Sequence, residues 1–480
     1  MPHPFRDPGT LPFQSTSIRR TIIACYCAVI LAATPLWWLT TSIQRLPLNL
    51  DINSLHPVSI PVHVVTSNAH RLDGEFRQAV QQSLSSKAWK AIDVKFFDTP
   101  QDTLVQTYHI RPSDGPTYVQ GNDIFYPLTD SSTPILAKLL VDLIYPFTEE
   151  HDHRHVSVQY APRYRLAFSL LNEDAADGDH IIDWDIQGAL AKYFSPFLKS
   201  VSSLHNFTIE SQVQYHAPLS VQARTQEDGS FALSQEDLAV FINSAEWSLS
   251  SSVSNDPVLH FILFVPSRDH RPLRILDLDG KPSSSSSFIL PQWGGVVMFN
   301  PPETQVLRVD DLLSPSAAFL GQLHSLLGVP RSPALVNHQP REAGLSSWQL
   351  DTMLRKRSIE NIRDSQDTLR SIVRLVNQIE NMPVGEKVRG AVDASLAALR
   401  QLQSVRSTKD IFRRSADAVH SASSAFFSPD MLAMLYFPAE HKYAVYTPLF
   451  ASGLIPVLGA VVREIKAWKD ERKLARAKVA

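Results

Sequence analysis

Two uncharged stretches of membrane-spanning length, one toward each end of the chain, limit what this sequence can fold into more than any other feature. The first, Thr21 to Leu39, reads "TIIACYCAVILAATPLWWL" without a charged residue. As a helix rising about 1.5 Å per residue, it covers roughly the 30 Å hydrocarbon core of a bilayer. Trp37 and Trp38 close it where an aromatic belt sits, and Arg19 with Arg20 flanks its other side. The second, Tyr443 to Val462, is equally uncharged and is followed by Arg463, Lys466, Lys469, Arg472, Lys473, Arg476 and Lys478. Basic residues collect on the cytosolic side of a membrane, so this pattern predicts that both termini face the cytosol. The middle of the chain then lies on the opposite, lumenal side.

Other readings of the two runs fit less well. A cleaved signal peptide has an apolar core of about 7–15 residues and a small-residue cleavage site, whereas this run is longer and ends in Trp-Trp. Pro448 and Pro456 would break an ordinary buried helix, but membrane helices tolerate proline. A C-terminal lipid-attachment signal ends in its apolar tail and lacks the basic extension seen here. The expected organisation is therefore a cytosolic N-terminus (1–20), a first span (21–42), a lumenal mixed α/β region (43–310), a lumenal helical region (311–437), a second span (438–462) and a basic cytosolic tail (463–480). The fold class is α+β with mixed α/β layers, a helical C-terminal region and one transmembrane helix at each end.

Composition sets further bounds. With 480 residues, 44% apolar, a net charge of −3 and 33 prolines against 17 glycines, the chain can bury two or three ordinary cores joined by irregular connections. No basic stripe marks a nucleic-acid surface. Both cysteines, Cys25 and Cys27, lie inside the first apolar run, which leaves the expected lumenal region without a disulfide, a thiolate nucleophile or a Cys-type zinc site. "NFT" at Asn206 to Thr208 is an N-glycosylation acceptor, consistent with a lumenal location.

Periodicity supplies the layers. "VSIPVHVVTS" (Val58 to Ser67), a helix across "RLDGEFRQAVQQSLSSKAWK" and the strand "IDVKFF" open a mixed α/β pattern. Strands follow at Tyr164–Asn172, Phe207–His216, Leu259–Pro266, Leu273–Leu278 and Gly294–Pro301, with helical spacing in "DWDIQGALAKYFSPFLKSV" and "SQEDLAVFINSAEWSLSS". "KPSSSSS" is expected as a mobile hairpin tip. Beyond about residue 310 three amphipathic helices follow. The first carries Ile362, Leu369, Val373, Val376 and Ile379 on one face, the second Val388, Val392, Leu396, Leu399 and Leu402, and the third spans "DIFRRSADAVHSASSAFF". An antiparallel packing of these helices, or a coil that binds a partner, would use such stripes.

Chemistry is thinly written. In "EEHDHRH", His151, His153 and His155 alternate, so on a strand they would share a face as metal ligands do, although this is not a known ligand spacing and a solvated loop explains it. "DGDHIIDWD" offers Asp177, Asp179, Asp183 and Asp185, without a G-x-S-x-G element to make a hydrolase, and reads as a polar loop with a helix cap. "WGGVVMFNP" lacks the G-x-G-x-x-G of a nucleotide site, and a tight turn or close backbone approach accounts for its glycine pair. No cofactor or catalytic residue is assigned. A lumenal metal-dependent hydrolase acting through the histidines, or a tethering scaffold, remain as alternatives.

Three stretches together resemble the PIG-S family, a subunit of the GPI transamidase: "PLWWLTTSIQRLPL" (Pro35 to Leu48), "WGGVVMFN", and "YFPAEHKYAVYTPLFASGLIPVL" (Tyr436 to Leu458). The motif positions at the membrane junctions are Trp37, Trp38, Thr40, Thr41 and Arg45 after the first run, and Pro438, His441, Lys442, Tyr446 and Pro448 at the second. Leu39 departs from the pattern, where the family often carries a basic residue. The resemblance implies a non-catalytic subunit in the endoplasmic reticulum membrane that supports assembly or substrate handling. Its implied partners are the other transamidase subunits, including a caspase-like subunit that supplies the cysteine nucleophile. Indirect contact with the proprotein and the GPI lipid is left open, and no nucleic acid is implied.

Overall fold

The structure is a computed structural model. It describes residues 15–41, 45–48, 58–66, 74–85, 91–100, 102–127, 133–146, 156–176, 178, 180–242, 247, 255–301, 304–333, 344–379, 382–429, 431 and 439–477. Contacts divide the chain into two units, each discontinuous in sequence: residues 1–56, 361–401 and 415–480 form one, and 57–360 with 402–414 the other. The first apolar run lies in α1 (Thr16–Thr41), which belongs to the first of these.

The larger unit contains two five-stranded sheets. In the first, β1 (Ile60–Thr66), α2 (Gly74–Ser85) and β2 (Ile92–Phe97) form a right-sized crossover between parallel strands. β3 (Thr107–Pro112), β4 (Tyr118–Gln120) and β5 (Asp123–Tyr126) complete the order β2-β1-β3-β5-β4. Side chains alternate across a strand, so Val62, Val64 and Val94 share one face with Tyr108, Ile110, Ile124 and Tyr126. They pack against α2 and α3 (Thr133–Ile144), an apolar helix with seven buried residues. Periodicity did not pick out α3, because a helix buried around most of its circumference has no polar face to set its register.

β6 (Arg163–Asn172) begins the second sheet and is buried at every position after Arg163. A two-residue strand, β7 (Asp183–Trp184), precedes α4 (Ile186–Ala189), a π-helical turn (Leu190–Phe194) and α5 (Ser195–Ser200), so the helix expected from residue 183 starts three residues later. β8 (Asn206–Gln214), β9 (Arg224–Thr225), β10 (Phe231–Leu233) and α6 (Gln235–Ala239) come next. α6 opens with a capping box between Ser234 and Asp237 and is far shorter than the helix predicted across 234–251. Phe241 and Trp247 leave the helical path for the core beside Phe264, where Trp247 Nε1 donates to Pro218 O.

β11 (Val258–Val265), β12 (Leu273–Ile275), β13 (Ser287–Leu290), β14 (Gly294–Met298), β15 (Val306–Leu307) and α7 (Leu313–Leu326) finish the layer. The strand order is β13-β14-β11-β6-β8, parallel except for β13. Such a sheet is covered on both sides. Leu166, Phe168, Phe261 and Leu263 enter one core with Phe319 and Leu323 of α7, while Leu171, Ile262, Phe264 and Val296 enter another with Phe241 and Trp247. The serine run leads directly into β13, and Ser283 N donates to Ile275 O.

The glycine pair of "WGG" marks two close approaches. A Cβ on Gly294 would lie 2.0 Å from His260 O of the neighbouring strand, and one on Gly295 would lie 2.0 Å from Gln322 Oε1 of α7. Gln322 spends its amide Nε2 on Phe288 O and Val296 O, so it is not free to swing away. Trp293 stacks on His260 with ring centroids 4.5 Å apart.

The other unit is helical. Besides α1 it takes the second half of α8 (Ser347–Gln378), α9 (Glu386–Gln401), the second half of α10 (Thr408–Phe426) and α11 (Ala439–Ala477). Ile362, Ser365, Leu369, Ile372 and Val376 form the buried seam of α8, at alternating spacings of three and four. Val373 and Ile379, expected on that seam, are half-buried beside it. Val388, Val392, Leu396 and Leu399 are buried on α9 as anticipated. Ser395 Oγ of α9 donates to Ala418 O of α10, and Asn361 Nδ2 of α8 donates to Ser415 Oγ.

Replacing Gly295 with Ala should destabilise the protein by about 1–3 kcal/mol, the usual cost of overpacking a core. Gly321→Ala, on an open face of α7 with nothing within 4 Å, should be neutral or stabilising by up to about 1 kcal/mol. Chemical denaturation of both variants checks the contrast.

Candidate functional site

The two apolar helices are the most distinctive elements of this chain, and its candidate site lies where they meet the rest of their unit. Segments Ser17–Leu36 of α1 and Ala444–Asp470 of α11 are long and apolar enough to cross a membrane, and neither is buried within the protein. Pro35 sits inside α1, and Pro448 and Pro456 inside α11. Cys25 is exposed and Cys27 half-buried on α1.

The two helices touch, and a three-residue charge cluster fixes one end of the pair. Arg19 Nε lies 2.8 Å from Glu464 Oε2, and Arg20 Nε lies 2.6 Å from Glu464 Oε1. Arg19 and Arg20 precede the first apolar run and Glu464 follows the second. The start of α1 thus lies beside the far end of the α11 apolar run, as in two antiparallel spans. Each guanidinium addresses one carboxylate oxygen, a charge-assisted geometry stronger than a neutral hydrogen bond.

Arg45 anchors the other end. It follows α1, and its Nη2 donates to Val376 O at 2.7 Å. Val376 lies in the last turn of α8, where carbonyls lack helical donors and carry the negative end of the helix dipole. The backbone repeats the contact: Arg45 bridges Val384, and Leu46 N donates to Val384 O at 3.0 Å. One arginine therefore caps α8 while its backbone pairs with the α8–α9 connection.

The remaining motif positions fall as follows. Trp37, Trp38, Thr40 and Thr41 occupy the last turns of α1. His441 and Lys442 lie in the first turn of α11, Tyr446 and Pro448 in the next two, and the Tyr446 ring is 6.3 Å from that of Phe450. Pro438 lies outside the described residues, as do His151, His153 and His155, and Asp177 with Asp179. Asp185 is a helix cap, its Oδ1 accepting from Gly188 N at 2.8 Å, and Asp183 Oδ1 accepts from Trp184 N. Among the described residues, no three His, Cys, Asp or Glu side chains are placed to hold a metal ion. Glu464 escaped the sequence reading, although it is the first acid after the second run and stands beside Arg463 at the end of that run.

Asn206 is exposed at the head of β8, the outermost strand of its sheet, and Thr208 beside it is exposed too. The preceding residue is the opposite. His205 is 4% exposed, its Nδ1 lies 2.7 Å from Ala161 O, and it is enclosed by the rings of Tyr160 and Tyr164. Burial drives its pKa down to about 4, against the opposing effect of the Ala161 hydrogen bond.

The family model for phosphatidylinositol-glycan biosynthesis class S protein matches residues 128–471. The chain belongs to the PIG-S family. The GPI-anchor transamidase component PIGS of Mus musculus is 35% identical over 330 residues, an alignment covering 65% of this chain and 59% of the mouse protein. The GPI transamidase component PIG-S homolog of Schizosaccharomyces pombe is 28% identical over 497 aligned residues, covering 96% of this chain and 86% of that protein. A GPI transamidase component of Saccharomyces cerevisiae is 27% identical over 68% of this chain and 63% of its own length. The chain thus spans about three fifths of the length of the mammalian PIG-S relative it matches. The family match takes in α8, α9, α10 and most of α11, and begins after β5.

A neutral His205 is what the folded state requires. A folded pKa depressed to about 4 from 6.5 contributes stability in full above about pH 6.5, and that stability is lost as pH falls toward 4. The loss amounts to about 3 kcal/mol. The thermal midpoint should therefore drop across this window, and His205→Gln should flatten the slope. His63 and His324, also lowered by burial, leave a residual slope of the same sign.

Proposed function

We propose that the protein is a non-catalytic, membrane-anchored subunit of the endoplasmic reticulum GPI transamidase, acting in assembly or substrate handling while GPI anchors are attached to proproteins. The observation that carries this reading is the family match running through the α8–α11 region together with relatives named as transamidase components. In this reading the regions 43–310 and 311–437 are lumenal, both termini are cytosolic, and Asn206 carries a glycan. The junction residues Trp37, Trp38, Thr40, Thr41, Arg45, Pro438, His441, Lys442, Tyr446 and Pro448 hold the helices at the two membrane interfaces.

The chemistry supports a subunit role. Cutting a proprotein and joining its new carboxyl to an amine is an acyl transfer that proceeds through an activated nucleophile. The only cysteines of this chain are Cys25 and Cys27, both within the helix assigned to the membrane. Membership of the PIG-S family implies that a separate caspase-like subunit supplies the cysteine nucleophile, and the cysteine-free region between the two spans agrees with that. What this chain contributes is position, since two membrane attachments restrict the orientation of a domain and raise the effective concentration of weak contacts with membrane partners. The backbone carbonyls freed by Pro448 and Pro456 need partners within the bilayer, which a neighbouring helix supplies.

Purification of the tagged full chain in mild detergent, followed by mass spectrometry, tests this directly. Transamidase subunits should co-purify in stoichiometric amounts, and replacing Pro448 to Gly459 with a Leu/Ala helix of equal length should lower both their yield and GPI attachment while preserving insertion. Recovery of the chain free of those subunits would contradict the proposal.

A further inference from the structure

The larger unit holds a cavity of about 430 Å³ that the proposed subunit role does not use. Its origin is visible in the alternation of β1 and β2. Even-numbered residues Val62, Val64 and Val94 point into the apolar core, so Pro61, His63, Lys95 and Phe97 share the opposite face, with His63 and Lys95 directly paired in the parallel register. The connection between α9 and α10 lies across this face and contributes Arg406.

Three features make the cavity a built site. Asp102, from the β2–β3 connection, orients Arg406 through a 2.9 Å contact between Nη1 and Oδ2, and its Oδ1 accepts from Leu104 N. With that pair internally balanced, Lys95 leaves the lining with one net positive charge; its own contact with Asp93, at 3.3 Å, is at the exposed rim. The decisive group is His63. It is 8% exposed, its ring lies 4.5 Å from that of Phe97, and its Nδ1 is buried without a hydrogen-bond partner among the described residues. Buried polar atoms in folded proteins are almost always satisfied, and the unsatisfied ring belongs to a residue that lines the cavity. Burial, reinforced by Lys95 and Arg406 and opposed by Asp102, lowers the His63 pKa, and the ring is a neutral donor or acceptor near pH 7.

We infer that this cavity binds a small molecule bearing a phosphate group, with His63, Lys95 and Arg406 as its hydrogen-bond donors. The volume falls within the range of small-molecule sites. Donors from three separate segments, β1, β2 and residues 402–406, suit the several terminal oxygens of a tetrahedral phosphate better than the two of a planar carboxylate. Phe97 and Val405 supply apolar lining for an organic substituent.

The test is thermal unfolding and calorimetric titration of the detergent-solubilised full chain with inorganic phosphate, glycerol 3-phosphate and acetate at matched ionic strength. Both phosphates should bind with measurable heat and raise the midpoint, and acetate should not. Tighter binding of glycerol 3-phosphate would identify an organic phosphate as the occupant, and tighter binding of inorganic phosphate the free ion. Lys95→Gln and Arg406→Gln alter exposed side chains and should each weaken binding about tenfold, the loss expected of one charge-assisted hydrogen bond, and His63→Phe should abolish it. General stabilisation by phosphate acts on all variants alike, so the difference between variants is the readout. Equal binding of acetate, or unchanged phosphate binding in both Lys95→Gln and Arg406→Gln, would overturn the assignment.

Discussion

A buried guanidinium ties the first half of α8 to α3 and to the first sheet. Arg355 is among the largest fully buried side chains of the protein, and its Nη2 donates to Tyr108 Oη of β3, to Ile144 O at the end of α3, and to Thr352 Oγ1 of its own helix. Thr352 Oγ1 lies between two carbonyls, 2.6 Å from Trp348 O of its own helix and 3.1 Å from Leu143 O of α3. A cation is well placed at the carbonyl end of a helix, where α3 presents its negative dipole. Asp351, one turn earlier on α8, faces a balance of the same kind: burial raises its pKa, and Arg355 with the Asn122 hydrogen bond pulls it back. Taking a charge out of water costs several kcal/mol unless it is well paired, and here Nη2 carries every bond while Nε and Nη1 are buried without a partner among the described residues. The first half of α8 is consequently committed to α3 and the first sheet, and the sheet's cavity face, with His63 and Lys95, is held on that same framework.

Much of the layer structure was legible because burial left a mark on the sequence. β6, β11 and β14 are covered on both faces and therefore read as largely apolar runs with no alternating polar face. The seams of α8 and α9 showed as apolar residues at helical spacing. Where local signals failed, tertiary packing had overridden them. Phe241 and Trp247 continue an apparent helical pattern after α6, yet both fill the second core from non-helical backbone. In "WGG" the close approach was anticipated, but the pressing groups, His260 O and Gln322, come from distant sequence.

The functional features were harder to see for the same reason. Arg355 stands in "MLRKRS", where nothing local distinguishes it from its exposed-looking basic neighbours. His63 is a polar residue inside "IPVHVV", and its alternation with Val62 and Val64 was readable, but its cavity exists only once residues 402–406 arrive from the other end of the chain. Arg45 could be marked by motif, whereas its partners Val376 and Val384 lie more than three hundred residues away. The Glu464 cluster likewise joins residues separated by nearly the whole chain.

Those long-range contacts give the proposed membrane arrangement its physical content. Arg19 and Arg20 meet Glu464 at one end of the helix pair, and Arg45 caps α8 just beyond the other end of α1. A hairpin that crosses the bilayer twice places the charge cluster and both termini on one side, with the folded units and Asn206 on the other. Protease protection in sealed microsomes, using a tag at each terminus and reading glycosidase-sensitive mobility at Asn206 in the same samples, tests this claim most directly. The account predicts that both tags are digested while the middle of the chain is protected and glycosylated; a protected C-terminal tag, or a middle region digested along with the tags, would contradict it.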